Sequence, residues 1–495
     1  MSSPCPWIVC LTVFLLIPFG HSHAETKGAA KRPHVILVMS DDQGWGDVGY
    51  NGHPVLKTPN LDAAAAAGLR FDNFYAAAPS CSPTRASVLT GRHPNRMGVF
   101  SWGHAIRPQE VTIAEILNQA GYATGHFGKW HLGSVRADSP VNPGKNGFDR
   151  WFSAPNFYDN NPVMSDEGKE VRIEGESSEI AVDAALEWIA ETAGGDRPVF
   201  AVVWFGSPHY PHRAAPEDAA LYPDQPKKMR EFLGEVTGID RAFGRLRSGL
   251  DEIGIRENTV LWFTSDNGAL KKVGSSGGAR GGKHNVYEGG LRVPAILEWP
   301  AVIKAPKNTP VRCSTVDILP TILDLAGIAD SSLPVLDGIS LTPLIEGNVN
   351  LRPTPLGFWN ANIPGHFTNP AGPVSKVLPT FENWSDKKVR RVTKRVEKVR
   401  REYFPEGVYP GHSAWISSDW KLHRFSMMEG QKVKWELFNL ATDPREKNDV
   451  SDDHPEIVAE MRAEMEEWLA SVVGSLNGDD YGRETAATPP SALRQ

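Results

Sequence analysis

The stretch HVILVMS, residues His34–Ser40, decides the fold class of this 495-residue chain, and it runs directly into the acids Asp41 and Asp42. A run of this length, apolar at nearly every position, is typical of a strand in a parallel sheet covered by helices on both faces. Three further runs of this kind follow: YATGHFGKW, PVFAVVWFGS and TVLWFTS. Helix candidates lie between them, among them TPNLDAAAAAGLR and SEIAVDAALEWIAETAG. This alternation predicts an α/β domain with a large, mostly parallel central sheet.

The chain beyond this domain has a different texture. The α/β pattern is predicted to span residues 33–350, and after about Arg352 the runs WISSDWKLHRF and KWELFNL indicate strands separated by a polar turn. The segment DDHPEIVAEMRAEMEEWLASVV then predicts a helix opened by Asp453. We therefore expect a smaller C-terminal α+β domain with an antiparallel sheet over residues 353–476. The polar residues 477–495 are expected to form a disordered tail.

The N-terminus has the features of an export signal. An apolar stretch from Trp7 to Phe19 precedes HSHA, whose small residues suit a signal peptidase, so residues 1–24 are predicted to be a signal peptide. Because no Lys or Arg precedes the stretch, a retained anchor is the alternative. The stretch is shorter than the roughly 20 residues that cross a bilayer, so integral membrane association is not expected. We expect a periplasmic or secreted protein of bacterial origin, favoured by the single sequon Asn383-Trp384-Ser385, or a lysosomal or extracellular one if eukaryotic.

Charge and cysteine content exclude two classes of protein. The 59 acidic and 52 basic residues give a formal net charge of -7, whereas a nucleic-acid-binding protein is normally strongly basic. Signal cleavage would remove Cys5 and Cys10 and leave only Cys81 and Cys313, which is too few for a disulfide framework. No nucleic-acid partner is expected, and Cys81 needs an explanation of its own.

Polar side chains follow the ends of all four predicted strands. They are Asp41-Asp42, Lys129-Trp130-His131, Pro208-His209 and Asp266-Asn267. Ligands of open α/β sheets bind outside the carboxyl ends of the strands, so these residues are expected to converge on one site. Three carboxylates and an amide oxygen need a cation between them, and oxygen ligands favour Ca²⁺, or less strongly Mg²⁺, over zinc. The alternative is that both pairs cap following helices.

The stretch SCSPTRAS, Ser80–Ser87, predicts the start of a helix. Ser82 is a candidate N-cap and Pro83 a candidate first helical residue, which would put Cys81 at a helix N-terminus. Backbone N–H groups and the helix dipole favour anions there, so a cysteine at this position can be a nucleophile of lowered pKa. The alternative is a small buried hydrophobic residue.

The sequence CSPTR resembles the C-x-P-x-R signature of the type I sulfatases, and LTGR (Leu89–Arg92) follows it as in that family. Further similar stretches cover nearly the whole mature chain: SDDQGWGDVGYNG, GKWHLG, SPHYPH, TSDNG, GGKHNVYEGGLRVP and ELFNLATDPREKND. The resemblance implies an alkaline-phosphatase-like sandwich. It also implies that a maturation enzyme converts Cys81 to Cα-formylglycine, whose hydrated aldehyde is the nucleophile. A Ca²⁺ ion would be held by Asp41, Asp42, Asp266, Asn267 and the group at position 81.

The same resemblance implies roles for the remaining polar residues. Arg85 and Lys129 would hold the formylglycine hydrate, and His131 would deprotonate its second hydroxyl to release sulfate. His209 and Lys283 would bind the sulfate ester and assist the leaving oxygen. Such fixed cations suit sulfuryl transfer, because negative charge spreads over the equatorial oxygens of the transition state. His126 and His212, which lie near these motifs, are expected to be structural.

Two other functions stay open, and the substrate is only broadly indicated. A phosphatase, phosphodiesterase or phosphonate hydrolase would suit the same fold and metal. An inactive protein that binds sulfated glycans is the alternative outside the enzymes. The motifs resemble most those of sulfatases that act on sulfated carbohydrates, and the fifteen Trp of the chain could stack on sugar rings. Both observations favour a sulfated carbohydrate as substrate.

The run DKKVRRVTKRVEKVRREY, residues 386–403, concentrates positive charge in a mildly acidic chain. Its valines recur at helical spacing, and its basic residues would mostly repel one another along the helix. We predict that this segment borders the substrate cleft and guides a sulfated polysaccharide towards residue 81. A solvated surface helix is the alternative.

Overall fold

The computed structural model describes Met1 and residues 32–304, 306–329, 333–361, 404, 407–426 and 433–481. The chain divides into two compact units, Met1–Arg32 and Pro33–Gln495, and every described helix and strand belongs to the second. Residues 2–24 of the predicted signal peptide, the sequon at 383–385 and the basic segment 386–403 lie outside the described residues. Among the described helices, none combines the length and the apolar character needed to cross a membrane.

Ten strands form the central sheet. They are β1 (His34–Ser40), β2 (Leu69–Phe71), β4 (Ala123–Lys129), β5 (Arg150–Ala154), β6 (Val163–Asp166), β7 (Lys169–Arg172), β8 (Val199–Trp204), β9 (Thr259–Ser265), β11 (Ile296–Glu298) and β12 (Lys307–Thr309). Their order is β12-β2-β11-β9-β1-β8-β4-β5-β6-β7. The central strands β9, β1, β8, β4 and β5 pair in parallel, whereas β6, β7 and β11 pair antiparallel with their neighbours. The prediction of a large, mostly parallel sheet is confirmed.

The central position of β1 in the sheet explains why its sequence is apolar at nearly every position. All seven of its residues are buried. Val35 and Leu37 belong to one hydrophobic cluster, whereas Ile36 and Val38 belong to another, because successive side chains of a strand point to opposite faces. Each cluster also includes side chains from helices, so helices cover the sheet on both faces. The helix candidates TPNLDAAAAAGLR and SEIAVDAALEWIAETAG are confirmed. A capping box at Thr112 begins the helix Ile113–Gln119.

The helices are short apart from three. They are α1 (Pro59–Ala67), α2 (Cys81–Thr90), α3 (Ile113–Gln119), α4 (Ser177–Thr192), α5 (Pro216–Ala219), α6 (Lys227–Ile253), α7 (Glu288–Leu291), α8 (Ile318–Leu325), α9 (Thr342–Ile345) and a C-terminal helix, Pro455–Asn477. Helix α2 begins at Cys81 with Ser80 as its N-cap, so the predicted cap Ser82 is wrong. The Ser82 hydroxyl instead accepts a hydrogen bond from Gly103 N–H at 2.8 Å. The C-terminal helix has His454 as its N-cap, not Asp453.

The C-terminal region forms a separate antiparallel sheet, as predicted. Its strands are β14 (Leu356–Asn360), β15 (Gly411–Ser417), β16 (Trp420–Ser426) and β17 (Lys434–Asn439), in that order. A small third sheet joins β10 (Arg292–Val293), β3 (Phe74–Tyr75) and β13 (Cys313–Ser314). The C-terminal helix packs on the antiparallel sheet. Asn477 ends that helix and Tyr481 is buried, so the predicted tail boundary at residue 477 falls inside ordered chain.

Candidate active site

The site is built from loops that follow the carboxyl ends of neighbouring strands. Asp41 and Asp42 follow β1, Lys129 ends β4, His209 follows β8, and Asp266 and Asn267 follow β9. Cys81 and Arg85 come from the first two turns of α2, and Lys283 comes from the loop of residues 279–288. Because the strands are parallel, one edge of the sheet collects strand-end residues that lie up to 226 positions apart in the chain, the span from Asp41 to Asn267.

Asp41 and Lys129 form a fully buried ion pair. Lys129 Nζ lies 2.5 Å from Asp41 Oδ2, and both side chains have no exposed surface. Arg85 Nη2 lies 3.8 Å from the other oxygen, Asp41 Oδ1. Burial raises the pKa of Asp41, and Lys129 opposes that rise. Asp41 therefore depends on its cationic neighbours to carry a charge.

Asp42 is the most crowded carboxylate of the site. Lys283 Nζ lies 2.6 Å from its Oδ1 and donates to its Oδ2 at 2.7 Å, and Asn267 Nδ2 donates to Oδ1 at 2.9 Å. His209 Nε2 lies 3.6 Å from Oδ2. Although burial alone would raise it, Lys283 and His209 hold the pKa of Asp42 well below its usual range. Asp42 has a φ of 73°, and this left-handed backbone turns its carboxylate towards these partners.

Asp266 links the two acidic loops and pairs with Arg85. Its Oδ1 accepts the backbone N–H of Asp42 at 3.0 Å, and its Oδ2 accepts from Arg85 Nη2 at 2.6 Å and Nε at 3.1 Å. The Arg85 guanidinium lies over the ring of Trp204 with 5.1 Å to the centroid. Among the described residues, three carboxylates and the cations Arg85, Lys129 and Lys283 thus balance in charge within one buried cluster.

Cys81 lies in this cluster as the first residue of α2. Its side chain is buried, and ligand atoms of Cys81, Asp41, Asp42 and His209 all lie within 4.8 Å of one another. Burial raises the pKa of the Cys81 thiol to about 12, so the expectation of a lowered pKa is wrong. The helix N-terminus and the nearby lysines do not overcome desolvation beside two carboxylates.

Two histidines complete the cluster. His131 is buried with a φ of 55°, and within the described part of the chain neither of its ring nitrogens has a hydrogen-bond partner. Burial, together with the neighbouring Lys129 and Arg85, lowers the pKa of His131 well below its usual value. Burial likewise lowers the pKa of His209 to about 3, while Asp42 opposes the shift. Both imidazoles are therefore neutral in this environment.

The oxygen atoms of the site fit a hard cation. Among the described residues, no hydrogen-bond donor contacts Asp41 Oδ1 or Asn267 Oδ1, although both atoms are buried. A buried polar oxygen without a partner is costly, so such atoms point to a bound ion or water. Carboxylate and amide oxygens are the donors that Ca²⁺ and Mg²⁺ prefer. Both oxygens of Asp42 and of Asp266 already accept hydrogen bonds, and Asp266 lies outside the group of Asp41, Asp42, Cys81 and His209 whose ligand atoms lie within 4.8 Å of one another.

The structure also shows the partners of His126 and His212 and an aromatic ring next to His209. His126 Nδ1 contacts Ser153 Oγ at 2.7 Å, and His212 Nδ1 contacts Glu235 Oε2 at 3.0 Å, so both have structural partners. Phe157, which the sequence reasoning missed, stacks on His209 with ring centroids 4.3 Å apart. Phe157 lies just after β5, a fifth strand that ends at the same edge, and this position could have marked it. It was missed because only polar residues were considered as candidates at the strand ends.

Comparisons with known proteins agree with this arrangement. The sulfatase family model matches residues 33–328. N-acetylgalactosamine-6-sulfatase of Canis lupus familiaris is 35% identical over 382 residues, covering 68% of this chain and 71% of that protein. Arylsulfatase A of Homo sapiens is 35% identical over 363 residues, covering 66% and 70%. The crystal structure of Ps i-CgsB in complex with k-i-k-neocarrahexaose superposes with a TM-score of 0.73 at 25% identity, over 93% of this chain and 99% of that one.

These matches confirm the resemblance read from CSPTR and the neighbouring motifs. They also agree with the expected alkaline-phosphatase-like fold, since this chain, with its large, mostly parallel sheet and its small antiparallel one, superposes on solved sulfatases. The chain belongs to the sulfatase family and is a sulfuric ester hydrolase.

Proposed function

We propose that this protein hydrolyses sulfate esters of a sulfated carbohydrate, with a formylglycine made from Cys81 as nucleophile and a bound Ca²⁺. The observation that carries the proposal is the position of residue 81. It lies at the N-terminus of α2, within one buried cluster of three carboxylates and three cationic side chains. Such a cluster is suited to holding an anionic group over a metal ion.

Asp41, Asp42, Asp266 and Asn267, together with the group at position 81, would hold the cation. Asp41 Oδ1 and Asn267 Oδ1 support this assignment, because both are buried and free of hydrogen-bond donors among the described residues. A bound Ca²⁺ would supply positive charge to the sulfate oxygens and to the nucleophile. Mg²⁺ is the less favoured ion, since it demands a stricter octahedral geometry.

Maturation of Cys81 would suit the chemistry of this donor set. A thiol sulfur is a soft ligand and matches poorly with a site made of carboxylate and amide oxygens. Oxidation of this thiol to an aldehyde, with an external two-electron oxidant and loss of the sulfur as sulfide, would put oxygen at the same position. Hydration of the aldehyde would then supply a hydroxyl nucleophile. The conversion needs a separate maturation enzyme, which would act on the unfolded CSPTR segment because Cys81 is buried in the folded protein.

The positions of the remaining polar residues suggest a separate role for each. Arg85 and Lys129 lie against Asp266 and Asp41 and would orient the hydroxyl groups at residue 81. Lys283 and His209 both contact Asp42 and would bind the sulfate ester and assist its leaving oxygen. His131, whose ring nitrogens have no hydrogen-bond partner within the described structure, would accept the proton that accompanies sulfate release.

Two exposed aromatic side chains near the site support a carbohydrate substrate. Trp102 is 45% exposed, and the next residue, Gly103, donates its N–H to the Ser82 hydroxyl beside residue 81. Tyr210 is 61% exposed and follows His209. Exposed aromatic rings at the rim of a polar pocket are suited to stacking on a sugar ring. The name N-acetylgalactosamine-6-sulfatase also points to a sulfated sugar, and Ps i-CgsB was solved with a bound oligosaccharide.

Two measurements test the proposal. The mass of the proteolytic peptide carrying residue 81 will show formylglycine in the purified protein, and a panel of sulfated mono- and oligosaccharides will identify the sugar. Cys81→Ala should abolish turnover and leave the fold intact, and Cys81→Ser should at most form a dead-end sulfated enzyme. Wild-type turnover of any sulfate ester by Cys81→Ala would remove the nucleophile assignment.

The same assays separate the alternatives. A phosphonate or phosphate monoester hydrolysed faster than every sulfate ester would favour the phosphatase alternative. No turnover of a fluorogenic sulfate ester by protein that contains formylglycine would favour an inactive glycan-binding protein. Export is also proposed, and N-terminal sequencing of the mature protein should begin at Glu25.

A further inference from the structure

The loop that carries Lys283 is tied at both ends to one residue of the C-terminal region, Glu446. At the start of the loop, Arg280 Nη1 donates to the backbone carbonyl of Glu446 at 3.1 Å. At its end, the backbone N–H of Glu288 donates to Glu446 Oε2 at 2.6 Å. Gly289 N–H donates to the Arg280 carbonyl at 2.8 Å and closes the loop on itself. The residues from 280 to 288 thus form a closed loop whose base rests on Glu446.

Glu446 is itself fixed by a buried network. Its Oε1 lies 2.7 Å from His423 Nε2 and 3.0 Å from Lys421 Nζ, and all three side chains have no exposed surface. Lys421 also contacts Glu288 Oε1 at 2.9 Å. The φ of Glu446 is 50°, a left-handed conformation that costs energy for a residue with a side chain. Three donors or cations, from Glu288, His423 and Lys421, therefore converge on one carboxylate held in a strained backbone.

The middle of the loop is held by the active-site edge of the sheet. Lys283 N–H donates to the Ala269 carbonyl at 2.9 Å, and His284 N–H donates to the Pro79 carbonyl at 2.8 Å, two residues before Cys81. Asn360 of β14 donates from Nδ2 to the His284 carbonyl at 3.1 Å. The loop therefore lies between the segment leading into α2 and the C-terminal sheet, with Lys283 Nζ reaching Asp42.

We infer that Glu446 is a positioning residue for Lys283, and that the stretch TDPREKND contributes to catalysis by holding the Lys283 loop in place. Glu446 does not touch the reacting groups. It fixes both ends of the loop, so that the Lys283 ammonium meets the sulfate ester at the distance the reaction needs. This inference rests on the proposed role of Lys283. A misplacement of about 1 Å at a positioned group can lower a rate by about 10²-fold.

Glu446→Gln is the informative variant. The Lys421–Glu288 pair survives it, so no buried cation is left without a partner. The amide that replaces the Glu446 carboxylate, however, has only one acceptor oxygen for the N–H groups of Glu288 and His423. Its NH₂ group would face donors. We expect kcat on a small aryl sulfate to fall about 10-fold or more. Arg280→Gln, a change at an exposed side chain, should lower kcat in the same direction and is expected to fold.

Asp443→Asn is the matched control in the same turn. Asp443 Oδ2 accepts from the N–H groups of Lys447 and Asn448 and has no contact with the loop of Lys283. We expect this variant to lower thermal stability and to keep kcat, measured well below its Tm. If Asp443→Asn and Glu446→Gln lose kcat equally at equal stability, the role of Glu446 is structural only and the inference fails.

A double-mutant cycle with Lys283→Ala completes the test. If Glu446 acts through Lys283, Glu446→Gln should lower kcat strongly in the wild-type background and hardly at all in the Lys283→Ala background. Additive losses would overturn the positioning role. If Lys283→Ala itself leaves kcat unchanged, the proposed role of Lys283 fails first, and the two failures are distinguished.

Discussion

Asp337 offers a quantitative test of how the C-terminal helix is held to the segment that follows α2, residues 93–96. Its carboxylate accepts from Arg96 Nε at 2.7 Å and Nη2 at 2.9 Å, and from the backbone N–H of His93 at 2.6 Å. Its Oδ1 also accepts from Trp468 Nε1 of the C-terminal helix at 2.8 Å. Although burial alone would raise it, Arg96 lowers the pKa of Asp337 to about 2. Replacing Asp337 by Asn removes this ion pair and leaves the neighbouring hydrogen-bond donors in place.

The free-energy cost follows from the pKa and the lost hydrogen bonds. The pKa falls from 3.8 to about 2, and one pKa unit corresponds to about 1.4 kcal/mol, so ionisation of Asp337 stabilises the fold by about 2.5 kcal/mol at pH 7. The asparagine NH₂ would also face donors, which costs about 1–3 kcal/mol. We therefore expect Asp337→Asn to lower the free energy of unfolding by about 3–5 kcal/mol, the range for a broken buried ion pair.

The pH dependence has a definite sign. Because the pKa of Asp337 is lower in the folded chain than in the unfolded chain, its contribution is complete above about pH 4 and is lost as the pH falls towards 2. The deficit of Asp337→Asn should be constant from pH 7 to 5 and shrink below pH 4. Urea unfolding at several pH values measures it.

Asp138→Asn is the control for this measurement. Asp138 pairs with Arg136 in the same bidentate way, but its side chain is 51% exposed, so the cost should stay below about 1 kcal/mol. A deficit in Asp337→Asn as small as the control's, or one that stays constant to the lowest pH at which the wild type is folded, would refute the buried ion pair.

Three further outcomes are expected. Chelation should lower both Tm and turnover, because the buried oxygens Asp41 Oδ1 and Asn267 Oδ1 would lose the ion proposed to bind them, and calcium at 100 times its Kd should restore about 2.7 kcal/mol; unchanged turnover with metal analysis showing an empty site would contradict this. Lys283→Ala should lower kcat about 10²-fold or more, as for loss of one transition-state donor, in single-turnover assays. Trp102→Ala should raise KM for a sulfated oligosaccharide and leave a small aryl sulfate unaffected, and equal effects on both would indicate a folding role.

Much of the fold and of the site was predictable because both depend on local pattern. The bounds of HVILVMS and TVLWFTS match β1 and β9, since a strand buried on both faces must be apolar at nearly every position. The rule that ligands lie at the carboxyl ends of parallel strands brought Asp41, Lys129, His209 and Asp266 to one edge. The resemblance carried by CSPTR added Arg85 and Lys283, which no strand end marks.

Only the tertiary structure decided the electrostatics and the support of the site. The pKa of Cys81 depends on desolvation and on carboxylates from distant loops, so its helix position alone predicted the wrong direction. The stretch TDPREKND showed a family likeness, but its contact with the Lys283 loop joins residues 158 positions apart, Glu288 and Glu446, and leaves no trace in local periodicity. Apolar pattern determines which elements form because it reports local burial. Which charged groups meet is decided by packing between elements, and the sequence of either element alone does not contain it.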